Sequence, residues 1–166
     1  MKCFNCAKKE AIITVPSLQR KACGDCFSRI IEKRFKKTFR DFKLKKVKVS
    51  NNRPSDKILL HLLKKINGLN IIISDRPSIK QFTLDDLSVS ILKSFLNNKN
   101  EVLKGTSPFG RISEQELIDY AKVNNLKFKG NQRKGEDKRV HELIMKLSQR
   151  RPGVMFSLCD FIKKLQ

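Results

Sequence analysis

Apolar residues recur at intervals of three and four from Phe27 to Phe42, as Phe27, Ile30, Ile31, Phe35, Phe39 and Phe42. That spacing puts them on one face of a helix and predicts an amphipathic element with a buried phenylalanine stripe. Val47 and Val49 then alternate with lysines, which predicts a short strand, and Ser50-Asn51-Asn52-Arg53-Pro54-Ser55 interrupts it. Ile58, Leu59, Leu62, Leu63 and Ile66 return to helical spacing, Gly68 ends that helix, and Leu69 to Ile73 predicts a buried strand bounded by Gly and Asp-Arg-Pro.

Further along, Thr83 caps a helix whose first turn carries Asp85 and Asp86 and whose inner stripe is Leu87, Ile91, Leu92 and Phe95. Asn97 to Gly110 is expected to be a loop. Ser113 and Glu116 form a capping box that opens a helix with Leu117, Ile118 and Ala121 inward. Gly130 to Gly135 is expected to be a basic, mobile linker. Val140, Leu143, Ile144 and Leu147 define another helix, stopped at Arg151-Pro152-Gly153, and Phe156 to Leu165 supplies a last short element. Strand alternates with helix, so the expected class is α/β with a small sheet of two or three strands.

The first 26 residues need a different source of stability, because the apolar run between the cysteine pairs, Ala11, Ile12, Ile13 and Val15, is short. Cys3-x2-Cys6 and Cys23-x2-Cys26 supply it. Two C-x2-C turns separated by sixteen residues present four thiolates to one ion, the pattern of a closed, structural Zn(II) site. The same four ligands also suit iron or an iron–sulfur cluster. With no open coordination position, such a site is structural. The expected organisation is a four-cysteine knuckle over 1–26, a basic helix over 27–46 and an α/β domain over 47–166.

Charge changes the picture most. The 166 residues carry 37 Lys and Arg against 16 Asp and Glu, a formal net charge of +21. Four thiolates around a divalent ion add about −2, so the basic character survives metal binding. Arg29, Lys33, Arg34, Lys36, Lys37, Arg40 and Lys43 follow directly from the knuckle. A cationic rod pinned at one end suits a phosphate backbone, so RNA is the expected partner. No run is long and apolar enough to span a membrane, and the chain is expected to work in the cytoplasm.

The order of these features resembles the PP-loop tRNA 2-thiolation family, whose members replace the 2-oxygen of the wobble uridine with sulfur. The two CxxC pairs, Cys26-Phe27 with its Lys/Arg/Phe helix, and a strand followed by a serine-bounded loop carry the resemblance. Thr83-Leu84-Asp85-Asp86 is similar to the family's N-x-D-D helix start. The segment Ile112 to Ala121 is similar to I-P-E-K-E-I-x-x-Y-A, and Arg151 to Ser157 to R-P-G-x-x-F-S. The resemblance implies a reduced PP-loop fold, a small parallel sheet of the adenine nucleotide alpha hydrolase type with flanking helices.

Departures from the pattern shape the functional expectation. A working loop reads S-G-G-x-D-S, with glycines that let backbone amides reach ATP phosphates. Here Ser50 and Ser55 match, while Asn51, Asn52 and Pro54 stand where the glycines and the acid would be, around Arg53. Only a few residues separate Ile73 from Thr83, where the family carries a long segment with a catalytic cysteine, and Cys159 reads as a buried side chain. The resemblance therefore implies a non-catalytic subunit. It would bind Lys, Glu and Gln tRNAs and support a catalytic PP-loop sulfurtransferase as a heterodimer, with a ubiquitin-like sulfur carrier acting upstream. A shortened active ATP-dependent enzyme, or a zinc-containing RNA- or DNA-binding module, are the alternative expectations.

Overall fold

The computed structural model describes residues 1–16, 18–98 and 107–165. Most of the expected 97–110 loop lies outside the described residues. Along the chain come β1 (Ile13–Val15), β2 (Arg20–Ala22), α1 (Gly24–Arg40), β3 (Lys46–Val49), α2 (Pro54–Leu63) and β4 (Asn70–Ile73). Four helices follow: α3 (Leu84–Leu96), α4 (Glu114–Val123), α5 (Gly135–Arg150) and α6 (Val154–Leu165).

β1 and β2 form an antiparallel hairpin in which Ile13 faces Ala22 and Val15 faces Arg20. β3, α2 and β4 form a parallel βαβ unit with Val47 opposite Ile71 and Val49 opposite Ile73. Successive residues of a strand direct their backbone groups to opposite edges, so Lys48 faces away from β4. There it meets the segment that follows β4: the Ser78 amide donates to the Lys48 carbonyl at 3.0 Å, and the Lys48 amide donates to Ser78 Oγ at 3.0 Å. A short return segment thus covers β3's second edge and drives Ile79 into the core.

The expected α/β class with a small parallel sheet and flanking helices is what the chain forms. The sheet is smaller than its hydrophobic pattern suggests. Leu69 to Ile73 is expected to be buried, yet Ile71 and Ile72 are half-buried and Ile73 is 58% exposed. With two strands in the sheet, β4 is an edge, and no described strand pairs with its outer side.

α1 organises the main core. Phe27, Ile31 and Phe35 are fully buried against Val47, Val49, Leu59, Leu62 and Tyr120, and the cysteines Cys3, Cys23 and Cys26 belong to the same apolar cluster. Phe35 lies parallel to Phe39 at 6.0 Å and tilted against Phe109 at 5.8 Å. The later helices pack around Leu84, Ile91 and Cys159, and around Val89, Val140 and Ile144. Phe95, Leu143 and Leu147, expected inward by periodicity, are 52%, 45% and 42% exposed. Their helices meet at a narrower seam than a full apolar stripe would need.

The Thr83 cap and the Ser113–Glu116 capping box form as expected. The Asp86 amide donates to Thr83 Oγ1 at 3.2 Å, and the Glu116 amide to Ser113 Oγ at 3.2 Å. α2 starts four residues before the first expected apolar position because Pro54 occupies its first turn, where a missing N–H costs nothing.

His61 on α2 packs edge-on against Tyr120 at 5.9 Å, and its Nε2 is buried with no hydrogen-bond partner. Burial, with help from the Lys65 and Lys64 charges, holds its pKa below the usual 6.5 despite the opposing Glu32 carboxylate. The unfolded chain therefore binds a proton near pH 6.5 that the folded chain refuses, and stability should fall as pH drops below that value. Urea unfolding between pH 7.5 and 5.5 should show a steeper loss for the native chain than for His61→Phe, which keeps the ring contact.

Candidate metal centre and nucleic-acid interface

The four knuckle cysteines converge. Cys3 to Cys6 is a tight turn closed by the Ala7 amide donating to the Cys3 carbonyl at 2.9 Å, with Ala7 in the left-handed region at φ 54°. The Phe4 amide donates to the Lys21 carbonyl at 3.1 Å and hangs this turn on β2. Cys23 is the N-cap residue of α1 and Cys26 lies in its first turn, so the second pair sits at the positive end of the helix dipole. A Lys9–Asp25 ion pair braces the two halves.

All four sulfurs lie within 4.8 Å of one another, and those of Cys6 and Cys23 are 3.9 Å apart. A tetrahedral ion with metal–sulfur bonds of about 2.3 Å separates its sulfurs by about 3.8 Å, so the spacing fits a single metal ion.

Electrostatics point the same way. Burial opposes ionisation of Cys3, but the amides of Cys23, Cys6 and Asn5 outweigh it and bring that thiol down to about 6. The amides of Lys9 and Lys8 likewise lower Cys6. For Cys26 the Asn5 side chain favours the thiolate, yet burial and the neighbouring sulfurs of Cys23, Cys3 and Cys6 push it up to about 12. The pocket welcomes the first negative charge and refuses the last, and a cation removes that conflict.

The basic residues of α1 divide by face. Arg29, Lys33, Lys36, Lys37 and Arg40 are exposed and, with Glu32, line a groove of about 280 Å³. Lys43, just beyond the helix, is exposed too. Arg34 turns inward: its guanidinium donates to the buried Glu116 carboxylate at 2.7 Å and ties α1 to α4. Glu32 is occupied by Lys65 at 2.5 Å and by the Tyr120 hydroxyl at 3.4 Å, which leaves the groove positive.

The Ser50 to Ser55 loop leaves β3 and enters α2, with Pro54 and Ser55 already helical. Two of its backbone donors are consumed internally. The Asn52 amide donates to Ser50 Oγ at 3.3 Å, the Arg53 amide donates to Asp56 Oδ2 at 2.8 Å, and Pro54 has none to give. Asp56 is fully buried in the first turn of α2 and also accepts from Gln81 Nε2. Burial disfavours its charge, but the Arg53 amide, Gln81 and Ser50 together hold its pKa below the usual value. A cavity of about 710 Å³ remains beside the loop, between Arg53, Ser55 and Gln81 and the 126–132 segment. No amide of residues 52–54 turns toward it as an anion donor.

A third cluster has no counterpart in the sequence reading. Asp85, Glu114 and His141 place ligand atoms within 4.8 Å, the distance of a metal site. Protein donors already fill it. Asp85 accepts from the Glu114 amide at 2.7 Å and lies 3.1 Å from His141 Nε2; Glu114 takes the Asn131 amide; and Arg133 bridges Glu114 and Asp86. Arg133 is the cation of this cluster, its side chain 11% exposed. The expected mobile 130–135 linker is therefore anchored at its centre. A charged residue between glycines carries no sequence signal of burial, and the partners are 19 and 47 residues away.

Two outcomes follow. Chelation of the metal, or Cys23→Ser, should unfold the N-terminal module and lower the melting temperature of the whole chain, since structural sites of this type contribute roughly 10–16 kcal/mol. Arg133→Met should cost about 1.5–3 kcal/mol in urea unfolding, because it takes the cation and its charge-assisted hydrogen bonds from the buried Glu114 and half-buried Asp86 carboxylates.

No protein-family model and no curated protein matches the chain in sequence. The fold has relatives among solved structures. It superposes on the U34-tRNA thiolase NcsA from Methanococcus maripaludis with its [4Fe-4S] cluster, with a TM-score of 0.78 and 14% sequence identity. The match covers 99% of this chain and 88% of that one. A cubane cluster binds each cysteine to a different iron and spreads its sulfurs wider than the 4.8 Å seen here, so this knuckle does not fit such a cluster. Cys159, buried 3.8 Å from Ser88 Oγ, lies in a separate apolar cluster. What the likeness establishes is an α/β fold shared with a tRNA thiolase.

Proposed function

We propose that this protein is a tRNA-binding subunit of a wobble-uridine 2-thiolation complex and leaves the sulfur chemistry to an intact PP-loop partner. The observation that carries the reading is the spent loop at the start of α2. On the fold of a tRNA thiolase, the Asn52 and Arg53 amides of this loop serve Ser50 and Asp56, Pro54 has no amide to give, and the buried Asp56 puts a negative charge in the first turn of α2, which disfavours a phosphate there.

The cationic groove of α1 supports the RNA partner. Arg29, Lys33, Lys36, Lys37, Arg40 and Lys43 are held on a rigid helix whose other face is the core, and whose first turn is pinned by the metal knuckle. Such contacts bind phosphates regardless of sequence and weaken steeply with salt. The metal in this reading is Zn(II), with no redox role, because four thiolates in one closed tetrahedral shell leave no position for substrate. ATP is not used by this chain. The tRNAs are those for Lys, Glu and Gln, and the catalytic partner binds as a heterodimer in the cytoplasm.

Purified protein should contain one zinc per chain by elemental analysis and bind unmodified tRNA with an affinity that falls between low and physiological salt. With ATP present it should release neither AMP nor pyrophosphate. Cells lacking it should show less 2-thiouridine by mass spectrometry of wobble nucleosides. Adenylate release by the chain alone would favour the shortened-enzyme reading. Normal thiolation, with no PP-loop protein co-purifying, would favour an unrelated RNA-binding zinc module.

A further inference from the structure

A second cavity, of about 560 Å³, lies where the β1–β2 turn, the middle of α1 and the start of α6 meet. Its wall combines Leu18 and Gln19 from the turn, Arg34 and Lys37 from α1, Arg111 before α4, and Phe156 in the first turn of α6. It lies apart from the Ser50–Ser55 loop and shares no lining residue with the cavity beside that loop. Its volume falls within the roughly 300–1,000 Å³ of small-ligand pockets.

The chemistry of this wall is divided in the way a nucleotide is divided. Phe156 and Leu18 offer apolar surface for a base, Gln19 offers an amide that can donate and accept at a base edge, and Lys37 and Arg111 offer charge for phosphate. Arg34 is engaged by the buried Glu116, while Asp160 stands 3.7 Å from Arg111, with both side chains largely exposed.

Lys37 lines both this cavity and the α1 groove, so the two adjoin at that lysine. From Arg29 to Arg40 the helix advances about 16 Å. That length spans a few consecutive phosphates of one strand. A free nucleotide would need only the cavity; a strand uses both.

We propose that the cavity between the β1–β2 turn, α1 and α6 holds a single unstacked nucleotide of an RNA strand whose backbone runs along α1, with Phe156 as the stacking surface. This rests on the tRNA-binding reading and adds to it a preference for unpaired bases, which phosphate contacts alone do not produce.

The test compares a hairpin RNA carrying an unpaired loop with a fully paired RNA of equal length, both binding to the full, metal-loaded chain. Phe156→Leu retains apolar packing against α3 and removes the ring face. It should weaken hairpin binding roughly fivefold to a hundredfold and leave duplex binding unchanged. Arg111→Ala should weaken both RNAs and lower the salt slope by about one. A 4-thiouridine in the loop should crosslink to peptides containing Phe156 or the Leu18–Gln19 turn. If both RNAs bind in a salt-dependent way but equally, are indifferent to Phe156→Leu, and crosslink only elsewhere, the pocket is not a nucleotide site and the tRNA reading stands. If neither RNA binds at low salt, both ideas fall.

Discussion

Four sulfurs held within 4.8 Å of one another are the constraint on which the rest of this protein depends. The pocket is built for negative charge, with amides aimed at Cys3 and Cys6 and a helix N-terminus behind Cys26, but it cannot hold four thiolates unaided. A metal ion resolves the conflict, and because Cys23 and Cys26 are also the first turn of α1, the ion sets that helix's position. α1 in turn supplies Phe27, Ile31 and Phe35 to the core and its cations to solvent. Metal, core and charged surface are thus three faces of one helix.

The α2 N-terminus shows how a helix start can be satisfied from within the chain. A helix start with free amides attracts anions. Here Asp56 supplies the negative charge from within and is satisfied by the Arg53 amide and by Gln81. The internal carboxylate stabilises α2 at all times, whereas a bound phosphate would do so only when present. The same substitution of an internal partner for an external one appears at Asp85, Asp86 and Glu114, where Arg133 fills the place of a cation. Both sites are neutralised without a ligand, which leaves the exposed cations of α1 as the unspent charge.

Local signals in the sequence are faithful where one element decides the outcome. The phenylalanine stripe of α1, the Thr83 and Ser113 caps and the cysteine spacing all depend on neighbours within a few residues, and the structure forms each of them, whereas the helix expected to run to Gly68 ends at Leu63. Exposure of Ile73, Phe95, Leu143 and Leu147 was not legible, because it depends on how many strands join the sheet and how widely α3, α5 and α6 overlap. Arg34 and Arg133, both expected in solvent, both turn inward for one reason: a cation's burial is set by a distant carboxylate, Glu116 in one case and Glu114 and Asp86 in the other. Periodicity reports a residue's own helix face and says nothing about a partner 82 positions away.

The remaining charge carries its own argument. A formal +21 over 166 residues opposes compaction, and the core that resists it is modest, with a two-stranded sheet and several exposed leucines and isoleucines. Buried pairs such as Arg34–Glu116 consume few of the cations; most lysines face water, where their mutual repulsion is relieved only by salt or by a polyanion. Binding RNA would therefore stabilise the fold as well as engage the partner, because phosphates remove a repulsion that the native state carries and the expanded chain largely escapes. The expected linkage is reciprocal: RNA raises the melting temperature most at low salt, where the repulsion it relieves is greatest.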